Sequence, residues 1–143
     1  DLSKCGGEFY CQKQAYLCSN PEIEVSVAFT RRFKAGFFGG EGFVLQKIVG
    51  NKTAFIHAGG TLYSKKLAAG EVIRVDAGSL VGFSSKVTYD AGFVGGVKNI
   101  LFGGEGLFLA KLTGPGVVLV QSLPFNKLVG NIVMASGLAK QRR

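Results

Sequence analysis

The strongest local pattern in the chain is a Gly-Gly-Glu-Gly motif, which occurs at residues 39–42 and again at residues 103–106. A glycine loop can cradle a phosphate when it ends in Lys-Ser or Lys-Thr and opens a helix, but neither copy ends in this way. The motif also lacks the G-x-G-x-x-G spacing of a dinucleotide site. We interpret it as a tight turn or bulge that enters a strand, with ligand binding as the alternative. The residues concerned are Gly39, Gly40, Glu41, Gly42, Gly103, Gly104, Glu105 and Gly106.

Catalytic constellations are scarce in this sequence. The single histidine, His57, would have to serve as the base of any Ser-His-Asp triad. It lies at the end of a predicted strand, and we interpret it as a polar strand position. Two carboxylate pairs could serve hydrolysis if the fold brought them together, namely Glu41 with Glu105 and Asp76 with Asp90. Nothing in their spacing does so, and we expect the protein not to be an enzyme.

The three cysteines, Cys5, Cys11 and Cys18, form no C-x-x-C pair. A zinc site would need a fourth ligand, and His57 is distant in the sequence. The cysteines are expected to be free, buried thiols in a reducing compartment. We therefore predict no metal site and no cofactor.

The chain is strongly basic, with 17 Lys and Arg against 9 Asp and Glu and a formal net charge of +8. Such a balance permits contact with nucleic acid or another polyanion. The basic residues are dispersed, so a binding site would require their clusters to meet on one face. A merely soluble, positively charged surface is the alternative. The candidate residues for anion or nucleic-acid binding are Arg31, Arg32, Lys34, Lys65, Lys66 and Lys98.

An internal repeat organises the elements that would position these residues. When the sequence is shifted by 64 positions, residues 38–50 fall on residues 102–114, and eight of these thirteen positions are identical. We therefore predict two copies of one β unit, at residues 1–64 and 65–143. Units of this size bury little surface alone, so they should pack on each other or on other subunits.

Short runs rich in Val, Ile, Phe and Leu, separated by glycine, predict an all-β fold. Residues 8–18 are expected to form one strand. Two hairpins are predicted: residues 43–49 with 53–58, and residues 107–113 with 117–123. The last pair is apolar on both faces, so it must be covered on both, in a sandwich or at a subunit interface. The one predicted helix lies within residues 126–138. No apolar run is long enough for a membrane span, and no secretory signal opens the chain.

Four blocks of sequence carry a resemblance to a known family, and they cover nearly the whole chain: residues 6–18, 31–42, 67–76 and 101–124. In order and composition they resemble the mitochondrial biogenesis (altered inheritance of mitochondria) family. The resemblance implies a fold like that of the tryptophan RNA-binding attenuator protein, with tandem units that are short double-stranded β-helices or β-sandwiches. It further implies three units in each chain and a homotrimer forming a larger ring. This chain looks like the C-terminal two thirds of such a member.

The function implied by these observations is a non-enzymatic, oligomeric β scaffold. The alternative is a ring that binds RNA or an anionic ligand, by analogy with the attenuator protein. The expected location is the cytoplasm, or the mitochondrion if the source is eukaryotic.

Overall fold

A computed structural model describes residues 1–31, 43–93 and 108–137. Within these ranges the regular structure consists mainly of antiparallel strands, and one α-helix follows the last of them, as the sequence predicts. The strands are β1 Glu8–Gln12, β2 Tyr16–Ser19, β3 Glu24–Arg31, β4 Phe43–Val49, β5 Ala54–Ile56, β6 Leu62–Leu67, β7 Val72–Asp76, β8 Leu80–Ser84, β9 Thr88–Phe93, β10 Phe108–Thr113 and β11 Gly116–Gln121; the helix α1 is Phe125–Ala135.

The strands form three sheets. The largest has six strands in the order β3-β4-β1-β8-β11-β6, the second has the order β7-β10-β9, and the third is the pair β2-β5. The six-stranded sheet lies in the middle. One of its faces packs on the β7-β10-β9 sheet and the other on the β2-β5 sheet.

A hydrophobic core fills each of the two spaces between the layers. Phe43, Leu45 and Leu112 are buried in the larger core, whereas Phe9 and Ile48 are buried in the smaller one. Side chains of a strand alternate between its faces, so a central strand contributes to both cores.

Strand β11 shows this alternation. Val118 and Val120 pack in the larger core, and Leu119 packs against the smaller one. Both apolar faces of β11 are therefore covered by other parts of the same chain.

One predicted strand is in fact two. Residues 8–18 divide into β1 and β2, because the backbone turns between them and the amide of Ala15 donates to the carbonyl of Gln12 at 2.8 Å. Ala15 is buried at this turn. A run without glycine or proline therefore conceals a change of sheet.

Both predicted hairpins are wrong. Strand β4 pairs with β1 and β3, and β10 pairs with β7 and β9, so neither has an edge left for the strand that follows it. The short connections instead carry the chain to a different sheet. At these points the amide of Gly50 donates to Gly7 and that of Gly114 donates to Glu71, each at 2.9 Å.

The pairing of strands recurs along the chain with an offset of 64 residues. Strands β3, β4 and β1 pair as β9, β10 and β7 do, and the pair β2-β5 matches β8-β11. The register is also the same, because Phe9 lies opposite Ile48 and Ile73 lies opposite Leu112. Strand β6 departs from this pattern, since the residues 64 positions later are helical. It also spans the predicted boundary between residues 64 and 65, and it pairs with β11 of the second half.

Strand β1 of the first half pairs with β8 of the second half near the middle of the six-stranded sheet. Tyr10 lies opposite Phe83, and their rings stack with centroids 5.3 Å apart and planes 12° from parallel. Cys11 lies opposite Gly82, where a Cβ atom would stand 2.5 Å from the carbonyl oxygen of Tyr10. The strands therefore approach closely only because residue 82 has no side chain.

Candidate functional site

The candidate basic residues that the structure describes lie at opposite edges of the large sheet. Lys65 and Lys66 belong to β6, the strand at one edge, and Arg31 ends β3, the strand at the other. Five strand spacings separate these edges, which is roughly 24 Å measured across the sheet. The fold therefore does not bring Arg31 to the same edge as Lys65 and Lys66. The candidates Arg32, Lys34 and Lys98 lie outside the described residues.

Lys65 is engaged in an ion pair. Its Nζ lies 2.9 Å from Oε1 of Glu71, whose other carboxylate oxygen accepts the amide of Ala68 at 2.9 Å. The pKa of Glu71 is lowered mainly by the hydrogen bond from the backbone amide of Ala68 and secondly by the ammonium group of Lys65. In turn, the carboxylate of Glu71 raises the pKa of Lys65. Lys66 is exposed.

Both copies of the Gly-Gly-Glu-Gly motif, including Glu41 and Glu105, lie outside the described residues. The strands that follow them are equivalent in the two halves, since β4 ends at Val49 and β10 ends 64 residues later at Thr113. The interpretation of the motif as a turn entering a strand remains a prediction.

The predicted polar positions form no catalytic arrangement in the described part of the chain. His57 is exposed just beyond β5, and its amide donates to Ala15 at 2.8 Å. Asp76 and Asp90 lie on β7 and β9 with β10 between them, so two strand spacings, about 10 Å, separate their backbones.

The three cysteines are free, but they differ in exposure. Cys11 is buried, and desolvation raises the pKa of its thiol to about 12, so it stays protonated. Cys5 is half-buried. Cys18 is exposed on β2, and the expectation that it would be buried is wrong. Among the residues whose positions are described, no three His, Cys, Asp or Glu side chains are close enough to hold a metal ion.

Sequence reasoning did not find a polar cluster on the large sheet. Lys47 lies with its Nζ 2.8 Å from Oε2 of Glu8 and 6.0 Å from the centre of the Tyr10 ring. The hydrogen bond from Lys47 lowers the pKa of Glu8, and the hydrogen bond to Glu8 raises the pKa of Tyr10. The register of β1 and β4 creates this cluster, and no local sequence signal reveals that register.

One exposed apolar surface lies on the outer side of the β2-β5 sheet. Leu17 is 63% exposed and Phe55 is 56% exposed, and Cys18, also exposed, lies opposite Phe55. We call these three residues the β2-β5 surface.

Helix α1 adds a second exposed apolar region, because none of its residues is buried. Its exposed apolar side chains are Phe125, Leu128, Val129, Ile132, Val133 and Met134. A pocket of about 120 Å³ lies where the helix begins, beside His57 and Gln121. It is smaller than the pockets of roughly 300–1,000 Å³ that enclose organic ligands. No helix in the described ranges combines the length and apolarity needed to cross a bilayer.

Comparison with known proteins supplies the family. The profile of the mitochondrial biogenesis AIM24 family matches residues 1–123. The chain matches no curated protein at a significant level. It is similar in structure to protein SPYM3_0169 from Streptococcus pyogenes, with a TM-score of 0.72 and 20% sequence identity. That similarity covers 90% of this chain and 55% of the streptococcal one, so this chain spans about half the length of that protein. The likeness of structure concerns the fold, and the family follows from the profile: the chain belongs to the mitochondrial biogenesis AIM24 family.

Proposed function

We propose that this chain is a non-enzymatic β scaffold that associates with copies of itself, as one part of a larger ring. The observation that carries the proposal is the β2-β5 surface, where Leu17 and Phe55 are both more than half exposed. Apolar residues that cluster on a protein surface mark sites of interaction. The scattered positions of His57 and of the two carboxylates Asp76 and Asp90 support the absence of a catalytic role.

The proposal includes a description of the chain as two copies of one unit. The shared strand pairing and register, offset by 64 residues, support it. The predicted bounds of the two units, residues 1–64 and 65–143, remain part of the proposal, although β6 spans that boundary and pairs with β11. A fold like that of the attenuator protein and a homotrimer remain part of the proposal.

Sedimentation velocity over a range of concentrations tests self-association. We expect species heavier than one chain, and we expect Phe55→Gln to weaken their formation because it removes apolar area that an interface would bury. Val27→Gln is the matched control, because Val27 is 65% exposed on the edge strand β3. A chain that sediments as a monomer at every concentration would contradict the proposal.

Polyanion binding is a second proposal, supported by the net charge of +8 and by the exposed Lys66. The separation of β3 and β6 requires such a ligand to reach both edges of the sheet, as an RNA wrapped around an assembly would. Filter binding of a single-stranded RNA at two salt concentrations tests it. Binding that weakens steeply with salt supports a phosphate contact, and no binding at low salt eliminates it.

We propose a cytoplasmic location in a bacterial source and a mitochondrial one in a eukaryotic source, on the basis of the family. Fractionation of the source cells, followed by detection with an antibody, tests this proposal.

A further inference from the structure

We infer that the free edge of β7 in one copy of this chain pairs with the free edge of β2 in a second copy, in the register that β1 and β8 use inside the chain. The inference rests on the proposed self-association and names its interface. Among the described strands, β7 pairs only with β10 and β2 only with β5. Each therefore presents one row of backbone donors and acceptors that can receive another strand.

The internal joint defines the register of this pairing. Strand β7 is the counterpart of β1 in the second half, and β2 is the counterpart of β8 in the first half. The pair Tyr10 and Phe83 of the joint therefore corresponds to Arg74 of one copy and Ser19 of the other. The full set expected between copies is Ile73 opposite Asn20, Arg74 opposite Ser19, and Val75 opposite Cys18.

Residues of β2 and β5 are exposed where their counterparts on β8 and β11 are buried or packed against a core, as expected if β2 and β5 lack a neighbouring unit. Val81 on β8 is completely buried, whereas its counterpart Leu17 on β2 is 63% exposed. Leu119 packs against the smaller core, whereas its counterpart Phe55 is 56% exposed. Strands β8 and β11 are covered by the first half of the chain, and a second copy placed in the same way would cover β2 and β5.

The same comparison predicts that the joint between copies is weaker than the joint inside the chain. Arg74 and Ser19 replace the stacked rings of Tyr10 and Phe83. Cys18 also carries a Cβ atom where Gly82 has none, so the strands must lie slightly farther apart. We therefore expect reversible, concentration-dependent association.

Disulfide trapping tests the register. The variant carries Ser19→Cys and Arg74→Cys in a chain whose Cys5 and Cys18 are replaced by alanine. Residues directly opposite in antiparallel strands have Cα atoms roughly 4.5–5.5 Å apart, which suits a disulfide bond. The matched control replaces Val72 instead of Arg74, because residue 72 would be a diagonal neighbour of residue 19, about 7–8 Å away. Both substituted positions of β7 are exposed on the same face.

Mild oxidation of the test variant should give a ladder of linked chains on a non-reducing gel, and reduction should collapse it to one band. The control should stay unlinked. Equal linking in both variants, or a bond within one chain, would overturn the inference. If sedimentation shows oligomers but the test variant does not link, the register is wrong and the proposed scaffold stands. If sedimentation shows only monomers, both the proposed register and the proposed self-associating scaffold are wrong.

A gain of association provides a second readout that cannot be attributed to misfolding. Arg74→Tyr together with Ser19→Phe would restore the stacked pair of the internal joint. A stacked aromatic pair should tighten association about two- to tenfold. Unchanged or weaker association of a folded double variant would count against the register.

Discussion

Replacing Gly82 with alanine is expected to destabilise the protein by about 2 kcal/mol, because the added methyl group has no space. Its carbon would stand 2.5 Å from the carbonyl oxygen of Tyr10 and 2.6 Å from a ring carbon of Phe9. The carbonyl oxygen belongs to β1, so relief requires the two strands to move apart. That movement would disturb the stacked rings of Tyr10 and Phe83, whose centroids lie 5.3 Å apart.

Urea unfolding followed by circular dichroism measures this effect. With a urea dependence of about 2 kcal/mol per molar, the midpoint should fall by about 1 M. The control is Cys18→Ala at the equivalent position of the other half, where β2 pairs with β5 on one side and has no described strand on the other side. It should change the free energy of unfolding by no more than about 0.5 kcal/mol. If Gly82→Ala is no more destabilising than this control, β1 and β8 do not approach as closely as we describe.

Three further predictions concern local features. Lys47 lowers the pKa of Glu8, so the ionised carboxylate stabilises the folded state above the ordinary pKa of a glutamate, and this stabilisation is lost as the pH falls. Glu8→Gln should therefore reduce the slope of the unfolding free energy against pH on the acid side. An unchanged slope would contradict this prediction. Gly130 has open space around it in α1, so Gly130→Ala should raise helix stability by about 1 kcal/mol, measured by thermal unfolding, and a destabilised protein would refute it. Cys11 should react with a thiol reagent only after unfolding, whereas Cys18 should react at once in the native protein; rapid modification of Cys11, mapped by mass spectrometry, would show that it is not buried.

The sequence predicts individual strands well where glycine or polar residues bound an apolar run. The bounds of β4 agree with the predicted run at residues 43–49, and β10 falls within the predicted run at residues 107–113. The C-terminal helix is also confirmed. In each of these segments the local periodicity and the packing of the fold favour the same structure.

The neighbours of each strand could not be predicted in the same way. A short glycine-containing connection usually indicates a hairpin, but both edges of β4 are occupied by strands from elsewhere in the chain. The pairing depends on contacts between distant residues, which local patterns do not encode. For the same reason the ion pair of Glu8 and Lys47 was not expected.

Exposure was the other feature that the sequence could not supply. Leu17 and Val81 are both apolar residues at equivalent positions, yet one is exposed and the other completely buried. The difference arises because β8 has β1 beside it and β2 has no described neighbour on that side. The sequence also could not show where the candidate basic residues lie in the sheet, because it does not reveal that β3 and β6 are at opposite edges.

The central claim is that β2 and β7 are complementary edges of a self-associating protein, and amide hydrogen exchange at increasing protein concentration tests it most directly. Peptides that cover Tyr16–Ser19 and Val72–Asp76 should exchange more slowly as the concentration rises, because strand pairing between copies protects their amides. Peptides that cover β8, whose edges are both occupied within the chain, should not change. Exchange in β2 and β7 that is the same at every concentration would contradict the account.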